Sequence, residues 1–371
     1  MEEPVEFEYQ SDWAEYFNSV LKNVIRDDID NRNHIKTNIV ESNQSFDEFL
    51  KRNPHVKSIP SKEDFFHNLR IRDRDNDYYF YLDTSDERFW AAHNIEKSKK
   101  VNRIIENLLS SSYLQDKIYL SHNSMNSYLE SLGVGSLGFT LKFDQLFSSD
   151  GDKGVFKDDV EEFEDINYTL QLWPKKKKSI EFFIKKFQDI HCPINYSSLN
   201  FVFEEEETHD VLVKENLHED GSFTIDRGKD IKSHIKFVNK VRDDYHEKMD
   251  MVELYRPDWT TMKGELFSIE FDKEIHPKEF VNTINKARLE GSKNPFKISA
   301  FFMYSEGNSA MYSCIDTHTG GKFFMQVFPD RMMINLDKDS CGNIIFRLYT
   351  NLQRYFSIGV KINVDDEPVQ L

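Results

Sequence analysis

The chain has 371 residues, of which 39% are hydrophobic and 14% aromatic, and it carries 65 acidic against 48 basic side chains. This length exceeds the usual size of a single core and predicts two or three domains, while the hydrophobic and aromatic content excludes a disordered protein. The formal net charge of −17 is spread over both halves of the chain. Neither half is therefore a basic module of the kind that coats DNA.

The cysteines and the first residues of the sequence indicate the cellular compartment. Cys192, Cys314 and Cys341 are far apart and form no paired motif, which is typical of free thiols in a reducing compartment. The first residues show neither the basic nor the apolar segment of a signal peptide, and no apolar stretch is long enough for a membrane helix. We expect a cytoplasmic protein without membrane contact.

Residues 1–147 predict a mixed α+β domain. Apolar residues at helical spacing predict a helix over 12–26, Ser45 and Ser61 each start a short helical pattern, and the Asn-rich text before Ser45 reads as a loop. The further elements predicted are a hairpin at 78–82 and 89–92, helices at 101–109 and 121–132, and a strand at 137–143.

A linker follows this domain. Residues 148–166 combine glycines with a run of acidic side chains, and both features resist packing. We interpret 148–166 as an acidic linker, with a first β-α-β-β-β-α unit at 167–255 and a second β-α-β(n)-α unit at 256–371.

These two units repeat one pattern. The helix begins about 11 residues after the first strand in one copy and about 12 in the other, and the next strand about 31 residues after it in both. Residue identity between the copies is poor. An internal duplication and a coincidence of common α+β order both stay open.

The order of elements in residues 168–360 resembles the tandem TATA-binding-protein-like fold. The segments Phe280–Leu289, Phe296–Tyr304 and Ile344–Phe356 follow in the order expected of its helix, strand and closing helix. The resemblance implies an α+β chain whose second half is a tandem pair of antiparallel sheets with helices. Because members of this family kink DNA with inserted phenylalanines, it also implies nucleic acid as a ligand.

The polar groupings predict no catalytic residue, no metal site and no cofactor. Asp73, Asp75 and Asp77 form a DxDxD run, but the glycine and the terminal glutamate of a calcium loop are missing, so solvated carboxylates are the better interpretation. His318 lies in a segment that ends in Gly320 and Gly321, and a tight hairpin between two strands requires such glycines in any case.

Two sets of residues are candidates for nucleic-acid contact. Lys175, Lys176, Lys177 and Lys178 form a basic cluster beside Trp173. Strand 296–304 alternates between a face with Lys297, Ser299, Phe301 and Met303 and a face with Ile298, Ala300, Phe302 and Tyr304. The first face suits base stacking or a docked partner, and coverage by the N-terminal domain or by a second copy is the alternative.

The sequence therefore favours a non-enzymatic interaction protein that binds another protein or a complex subunit, or associates with itself, through this aromatic sheet and its acidic surface. A nucleic-acid-binding factor that uses Lys175–Lys178, Lys297 and Phe301 is one alternative. A metal-dependent nuclease built from scattered carboxylates is another.

Overall fold

The computed structural model describes most of the chain, and its contacts divide the chain into two compact units. Unit 1 comprises Met1–Ile118, Gly133–Leu137 and Ser198–His246, and unit 2 comprises Tyr119–Leu132, Gly138–Ser197 and Glu247–Leu371. The residues described are 5–22, 35–74, 76–95, 98–111, 114–131, 138–143, 146–147, 154–156, 168–173, 182, 185–186, 195–205, 207–208, 210–257, 264–287 and 294–371.

Unit 1 is a curved run of antiparallel strands with helices packed on it. Its strands follow the order β2-β3-β4-β5-β1-β11-β10-β9, and β6 also pairs with β1. They are β1 (Ile35–Ser42), β2 (Val56–Pro60), β3 (Phe66–Asp73), β4 (Asn76–Asp83), β5 (Phe89–Asn94), β6 (Gln115–Lys117), β9 (Asn195–Glu204, from Ser198 on), β10 (Val211–His218) and β11 (Ser222–Gly228). The helices are α1 (Gln10–Lys22), α2 (Phe46–Arg52), α3 (Ser98–Ser111) and the first part of α5 (Ile231–Leu254).

Two apolar clusters hold unit 1 together. Trp13 of α1 is fully buried with Phe17 and Phe66, and Trp90 of β5 is buried with Val101 of α3 in the second cluster. Aromatic side chains of this size bury more area than any others, so each cluster is built around a tryptophan.

Unit 2 contains a seven-stranded antiparallel sheet with the order β13-β14-β15-β16-β12-β17-β18. Its strands are β12 (Phe267–Glu270), β13 (Ile298–Glu306), β14 (Ser309–Asp316), β15 (Lys322–Val327), β16 (Arg331–Leu336), β17 (Lys361–Val364) and β18 (Glu367–Pro368). The other elements are α4 (His122–Ser131), the paired strands β7 (Gly138–Phe143) and β8 (Tyr168–Leu172), the end of α5, α6 (Pro277–Lys286) and α7 (Asn343–Tyr355).

The seven-stranded sheet has one apolar face. Alternate side chains of its strands are buried, among them Tyr312, Phe323 and Ile334, and α6 and α7 contribute Phe280 and Leu348 to the same core. Pro277 stands in the first turn of α6, where its missing N–H costs nothing. On the opposite face, most of the alternate side chains are half-buried or exposed, whereas Ser268, Ser309 and Asn363 are buried.

Most predicted elements are confirmed, including the α+β class. Ser45 caps α2 by accepting a hydrogen bond from the backbone N–H of Glu48, and Ser121 likewise accepts one from Ser124 N at 3.0 Å before α4. The aromatic hairpin is formed by the antiparallel strands β4 and β5.

Two predictions in residues 35–69 are wrong. The described part of the Asn-rich text is not a loop, because Ile35–Ser42 forms β1, a fully buried strand between β5 and β11. Ser61 starts no helix, since its hydroxyl donates to the carbonyl oxygens of Glu63 (2.7 Å) and Phe66 (2.5 Å) in the turn before β3. In both places long-range strand pairing overrides local propensity.

The predicted bounds of domains and linker stay a prediction, and residues 148–153 and 157–166 of the linker lie outside the described residues. Most of the first helix predicted in the unit at 167–255 also lies outside them. In the part of the chain that the structure describes, no helix has the length and apolar character needed to cross a membrane.

Candidate interaction surface

Strand β13 exposes large apolar side chains. From Phe301 to Glu306 every residue is exposed, and Phe301 (56%), Phe302 (52%), Met303 (50%) and Tyr304 (51%) leave about half of their area in solvent. Single exposed apolar residues are common on proteins, but four consecutive large ones are not. β13 is therefore the strongest candidate for a contact surface within the described residues.

The strand register shows which residues share a face with β13. Phe301 lies opposite Ser313 of β14, and Ser313 lies opposite Phe324 of β15, which is itself 41% exposed. Phe324 in turn lies opposite Asn335. Two exposed rings thus flank a serine, about 10 Å apart because they are separated by two strand spacings.

A β-bulge corrects the predicted assignment of faces. The register shifts between Phe302 and Tyr304, so that Tyr304 pairs with Met311, a half-buried residue on the side of Ser313. The extra residue, Met303, moves Tyr304 from the predicted face of Phe302 to the face of Phe301. Strict alternation could not show this, because one inserted residue reverses the alternation beyond it.

We call the open side of the sheet the outer face. It is defined by the side chains that alternate with those of the apolar core: Ser299, Phe301, Tyr304, Glu306, Ser309, Met311, Ser313, Ile315, Lys322, Phe324, Gln326, Arg331, Met333, Asn335, Ser268, Glu270, Lys361 and Asn363. The outer face is mainly aromatic, aliphatic and neutral polar.

The charges on the outer face are nearly balanced. Lys322, Arg331 and Lys361 are exposed there, and Glu270 and Glu306 are the acidic residues of the set. Glu270 lies between Arg331 and Lys361 in the register and accepts a hydrogen bond from Asn363 Nδ2 at 2.9 Å. The outer face thus carries three cations and two carboxylates in a protein of net charge −17.

The outer edge of β13 is partly protected by α6. The side chain of Asn285 accepts from the N–H of Ala300 and donates to its carbonyl oxygen, both at 2.8 Å, as a neighbouring strand would. Lys278 of the same helix lies over the ring of Phe302, 4.8 Å from its centroid. The amide of Asn285, the nearby Lys278 and the bulge all discourage pairing of β13 with the edge strand of another sheet. Contact through side chains therefore suits β13 better than the addition of a strand.

The candidate residues from the sequence have separate outcomes. Phe301 lies on the outer face as predicted. Lys297 precedes β13 with a φ of +50° and is half-buried, and its carbonyl oxygen accepts a hydrogen bond from Thr317 N at 2.8 Å. Lys175, Lys176, Lys177 and Lys178 lie outside the described residues, so their role as contacts stays a prediction.

The DxDxD run is engaged in ion pairs. Asp73 pairs with Arg103, and Asp77 pairs with Arg70 and with Arg72, whose Nε lies 3.2 Å from the carboxylate. These contacts join β3, β4 and α3 and agree with a structural role of the run.

The segment around His318 is a hairpin held by a buried arginine. The carboxylate of Asp316 accepts from the backbone N–H groups of His318 (3.1 Å) and Thr319 (3.3 Å) and from the guanidinium of Arg347 on α7. Arg347 Nε also donates to the carbonyl oxygen of Phe296 at 2.7 Å. Gly320 has a φ of +78°, as the predicted tight turn requires.

Unit 1 contains a buried polar chain that the sequence did not indicate. Thr37 Oγ1 lies 2.8 Å from His93 Nδ1 and 2.7 Å from His234 Nε2, and His234 Nδ1 contacts the carboxylate of Glu215. The ring of Trp13 packs on His93 with centroids 4.5 Å apart. A carboxylate, an imidazole and a hydroxyl in this order are the groups of a nucleophilic triad.

Burial decides what these four hydrogen-bonded side chains can do. All four side chains are at most 2% exposed. Burial lowers the pKa of His93 well below its usual range and raises the pKa of Glu215. A hydroxyl enclosed in this way is reached by no substrate, so Glu215, His234, Thr37 and His93 serve as a hydrogen-bonded core that joins β10, α5, β1 and β5.

The sequence could not reveal this core for a physical reason. Thr37 lies in the segment read as a loop, and its partners are 56 and 197 residues away in the chain. Residues brought together by sheet pairing over such separations leave no local pattern.

The comparisons with known proteins identify the family of this chain. The family model described as "MJECL33-like protein" matches residues 4–371. A relative named "Uncharacterized protein MJECL33", from Methanocaldococcus jannaschii, is 27% identical over 365 residues, which cover 90% of this chain and 87% of the relative. No solved structure matches, so the resemblance to the TATA-binding-protein-like fold stays a prediction. Because the family model spans nearly the whole sequence, the chain belongs to the MJECL33-like family.

Proposed function

We propose that this protein is a non-enzymatic binding protein, and that another protein or a complex subunit docks on the hairpin formed by β13 and β14. The observation that carries the proposal is the run of exposed residues from Phe301 to Glu306 on an edge strand. Phe302, with Lys278 over its ring, lies on the side of the hairpin turned toward α6, and Met303, the exposed extra residue of the bulge, follows it. We call these three residues the hairpin site.

The energetics of the hairpin site suit a hot spot. Complete burial of a Phe or Met side chain contributes about 1.5–3 kcal/mol, and each of the two is about half exposed. Interfaces derive most of their affinity from a few such anchors that lie side by side. Lys278 adds a cation that pairs with an acidic group of the partner while its stem covers the Phe302 ring.

The polar clusters support a binding role over a catalytic one. The triad-like chain around Thr37 is enclosed in unit 1, and Asp316 is neutralised by Arg347 inside unit 2. These two clusters are thus used for packing, whereas the exposed surface of β13 is aromatic. The net charge of −17 adds long-range steering toward basic partners outside the hairpin site.

A site-specific cross-link tests the proposal. A photoreactive phenylalanine analogue in place of Met303, in the full chain expressed in its native host, is expected to trap one defined protein. The same analogue at Lys338, an exposed position outside the hairpin, is the control. The trapped protein is then purified, and Phe302→Ala is expected to weaken its binding at least tenfold. Equal trapping from both positions, or unchanged affinity of Phe302→Ala, would contradict the proposal.

A further inference from the structure

We propose that Cys341 and His318 hold a zinc ion inside unit 2. This inference goes beyond the docking of a protein on the hairpin site, because it concerns the loop at the other end of β14 and uses none of the hairpin residues. It depends on the nature and distance of the two ligand atoms, on the rigidity of their loops and on their burial. The strands β15 and β16 separate the two residues in the chain, so no metal-binding motif marks them in the sequence.

The two ligand atoms are close enough to share an ion. A ring nitrogen of His318 and Sγ of Cys341 lie within 4.8 Å of each other. Zinc binds a thiolate at about 2.3 Å and an imidazole nitrogen at about 2.0 Å, so an ion between them spans up to about 4.3 Å. A small side-chain rotation brings both atoms into range. Unit 2 thus supplies two of the four ligands that zinc takes, and water or further groups can fill the other positions.

The thiol of Cys341 is placed where a thiolate is favoured. Cys341 comes just before α7, and its Sγ accepts a hydrogen bond from the backbone N–H of Asn343 at 3.4 Å. The positive end of the helix dipole and this N–H both favour the anion, which is the form that binds metals. Cys314 differs, because burial raises the pKa of its thiol to about 12. Cys341 is therefore the better ligand of the two.

The imidazole of His318 has a carboxylate beside it. Oδ2 of Asp316 lies 3.8 Å from His318 Nδ1, and Asp316 is itself fixed by Arg347. At this distance the contact is electrostatic rather than a hydrogen bond. A carboxylate beside the ring is the usual companion of a metal-bound histidine, because it favours the proton on the nitrogen that does not bind the ion. We therefore assign Nε2 of His318 to the ion.

The two loops that carry the ligands are tied together. Ser340 Oγ donates to the carbonyl oxygen of Lys322 at 2.6 Å and accepts from the backbone N–H of Asp337 at 3.2 Å. A Cβ atom at Gly321 would lie only 3.3 Å from Cα of Ser340, so the loops are in close contact. Ligands on supports of this kind lose little freedom when an ion binds, which favours binding.

Burial favours an ion over a substrate. His318 is 3% exposed and Cys341 is 4% exposed. A thiolate beside an imidazole is also the pair that activates a cysteine nucleophile, but a nucleophile has to touch its substrate. An ion needs only a path as wide as one atom. The pair therefore suits metal binding better than catalysis.

Metal titration of the full-length protein tests the inference. All proteins carry Cys192→Ser, so that Cys314 and Cys341 are the remaining cysteines, and they are stripped of metal by dialysis against a chelator. Competition with a chromophoric chelator measures zinc affinity, and Co²⁺ reports the ligand through thiolate-to-metal charge-transfer absorption. We expect one zinc ion per chain and a charge-transfer band with Co²⁺.

Matched variants locate the ligands. Cys341→Ser and His318→Gln are each expected to weaken zinc binding at least about tenfold, since even the supporting residues of a metal site contribute that much. Cys314→Ser is the control and is expected to leave zinc affinity unchanged. His318→Cys replaces the imidazole by a second thiolate and is expected to restore binding that His318→Gln loses. Circular dichroism confirms that each variant is folded.

The outcomes separate this inference from the proposed function. Absence of zinc binding by the Cys192→Ser protein, or equal losses in Cys314→Ser and Cys341→Ser, would overturn the site. Equally weak binding by His318→Cys and His318→Gln would remove His318 as a ligand. If Cu⁺ but not zinc binds and Cys341→Ser abolishes it, the choice of zinc is wrong. None of these results affects cross-linking at Met303, and a failed cross-link leaves the zinc titration unchanged.

Discussion

The two units differ in which side chains they bury and which they expose. Unit 1 encloses Glu215, His234, Thr37 and His93 in its core, whereas unit 2 exposes Phe301, Phe302, Tyr304 and Phe324 on its sheet. Of these two sets of side chains, the exposed rings are the ones that another molecule can reach. The comparison teaches that chemical identity alone does not mark a functional site, because access to solvent decides whether a group can act on another molecule.

The buried arginine of unit 2 gives the sharpest test of the rule that enclosed polar groups serve stability. Arg347→Met leaves the carboxylate of Asp316 buried without its guanidinium, and such losses cost about 3–5 kcal/mol. Urea unfolding measures the change. The double variant Arg347→Met with Asp316→Asn removes the charge as well and is expected to recover a large part of the loss. A single variant as stable as the wild type would break the comparison.

The second-largest loss of stability is expected on acidification, because buried histidines are among the enclosed groups. Burial lowers the pKa of His122 to about 4, and burial also lowers the pKa of His93. Above pH 6.5 these histidines are neutral in both states. Below it the unfolded chain binds protons that the folded chain does not, so stability falls as pH drops toward 4, by about 3 kcal/mol for His122 alone.

Urea unfolding at pH 7, 5.5 and 4.5 measures this effect. His122→Gln is expected to show a shallower decline over the same range, whatever its stability at pH 7. An unchanged slope in that variant would show that His122 is not the titrating group.

The hydroxyl at the centre of the unit 1 core predicts a smaller loss. Thr37→Val keeps the shape of the side chain but leaves His93 and His234 each without one hydrogen bond, at a cost of about 1–3 kcal/mol. Thr37→Ser retains the hydroxyl and is the control. Thermal unfolding monitored by circular dichroism measures both variants, and equal midpoints for Val and Ser would contradict the role given to the hydroxyl.

The smallest effect is expected on the exposed side. Phe301→Ser and Phe324→Ser should change the free energy of unfolding by less than about 0.5 kcal/mol, because their rings make few contacts to lose. The same substitution in the buried residue Phe323 is the matched control and should destabilise strongly. A large loss in Phe301→Ser would mean that its ring belongs to the core and that the two units do not differ as described.

The sequence predicts a feature well when that feature depends on residues close to it in the chain. The α+β class, Ser45 as a helix cap and Phe301 on an aromatic sheet all depend on neighbours a few residues away, and they are confirmed. Strand β1 was missed because Lys36, Asn38 and Glu41 conceal it, and only pairing with β5 and β11 makes these residues compatible with burial. The face of Tyr304 was wrong because a bulge has no simple sequence signal.

Asn285 has a consequence for the assembly of this protein. Its amide occupies the backbone groups of Ala300 that a further strand would need, and so one side chain sets where the sheet stops growing. We expect Asn285→Ala to remain folded but to self-associate with rising concentration in sedimentation experiments. The end of the sheet then depends on a residue that lies neither in a core nor on a binding face, and its loss would free the backbone of Ala300 for pairing with a second copy of the chain.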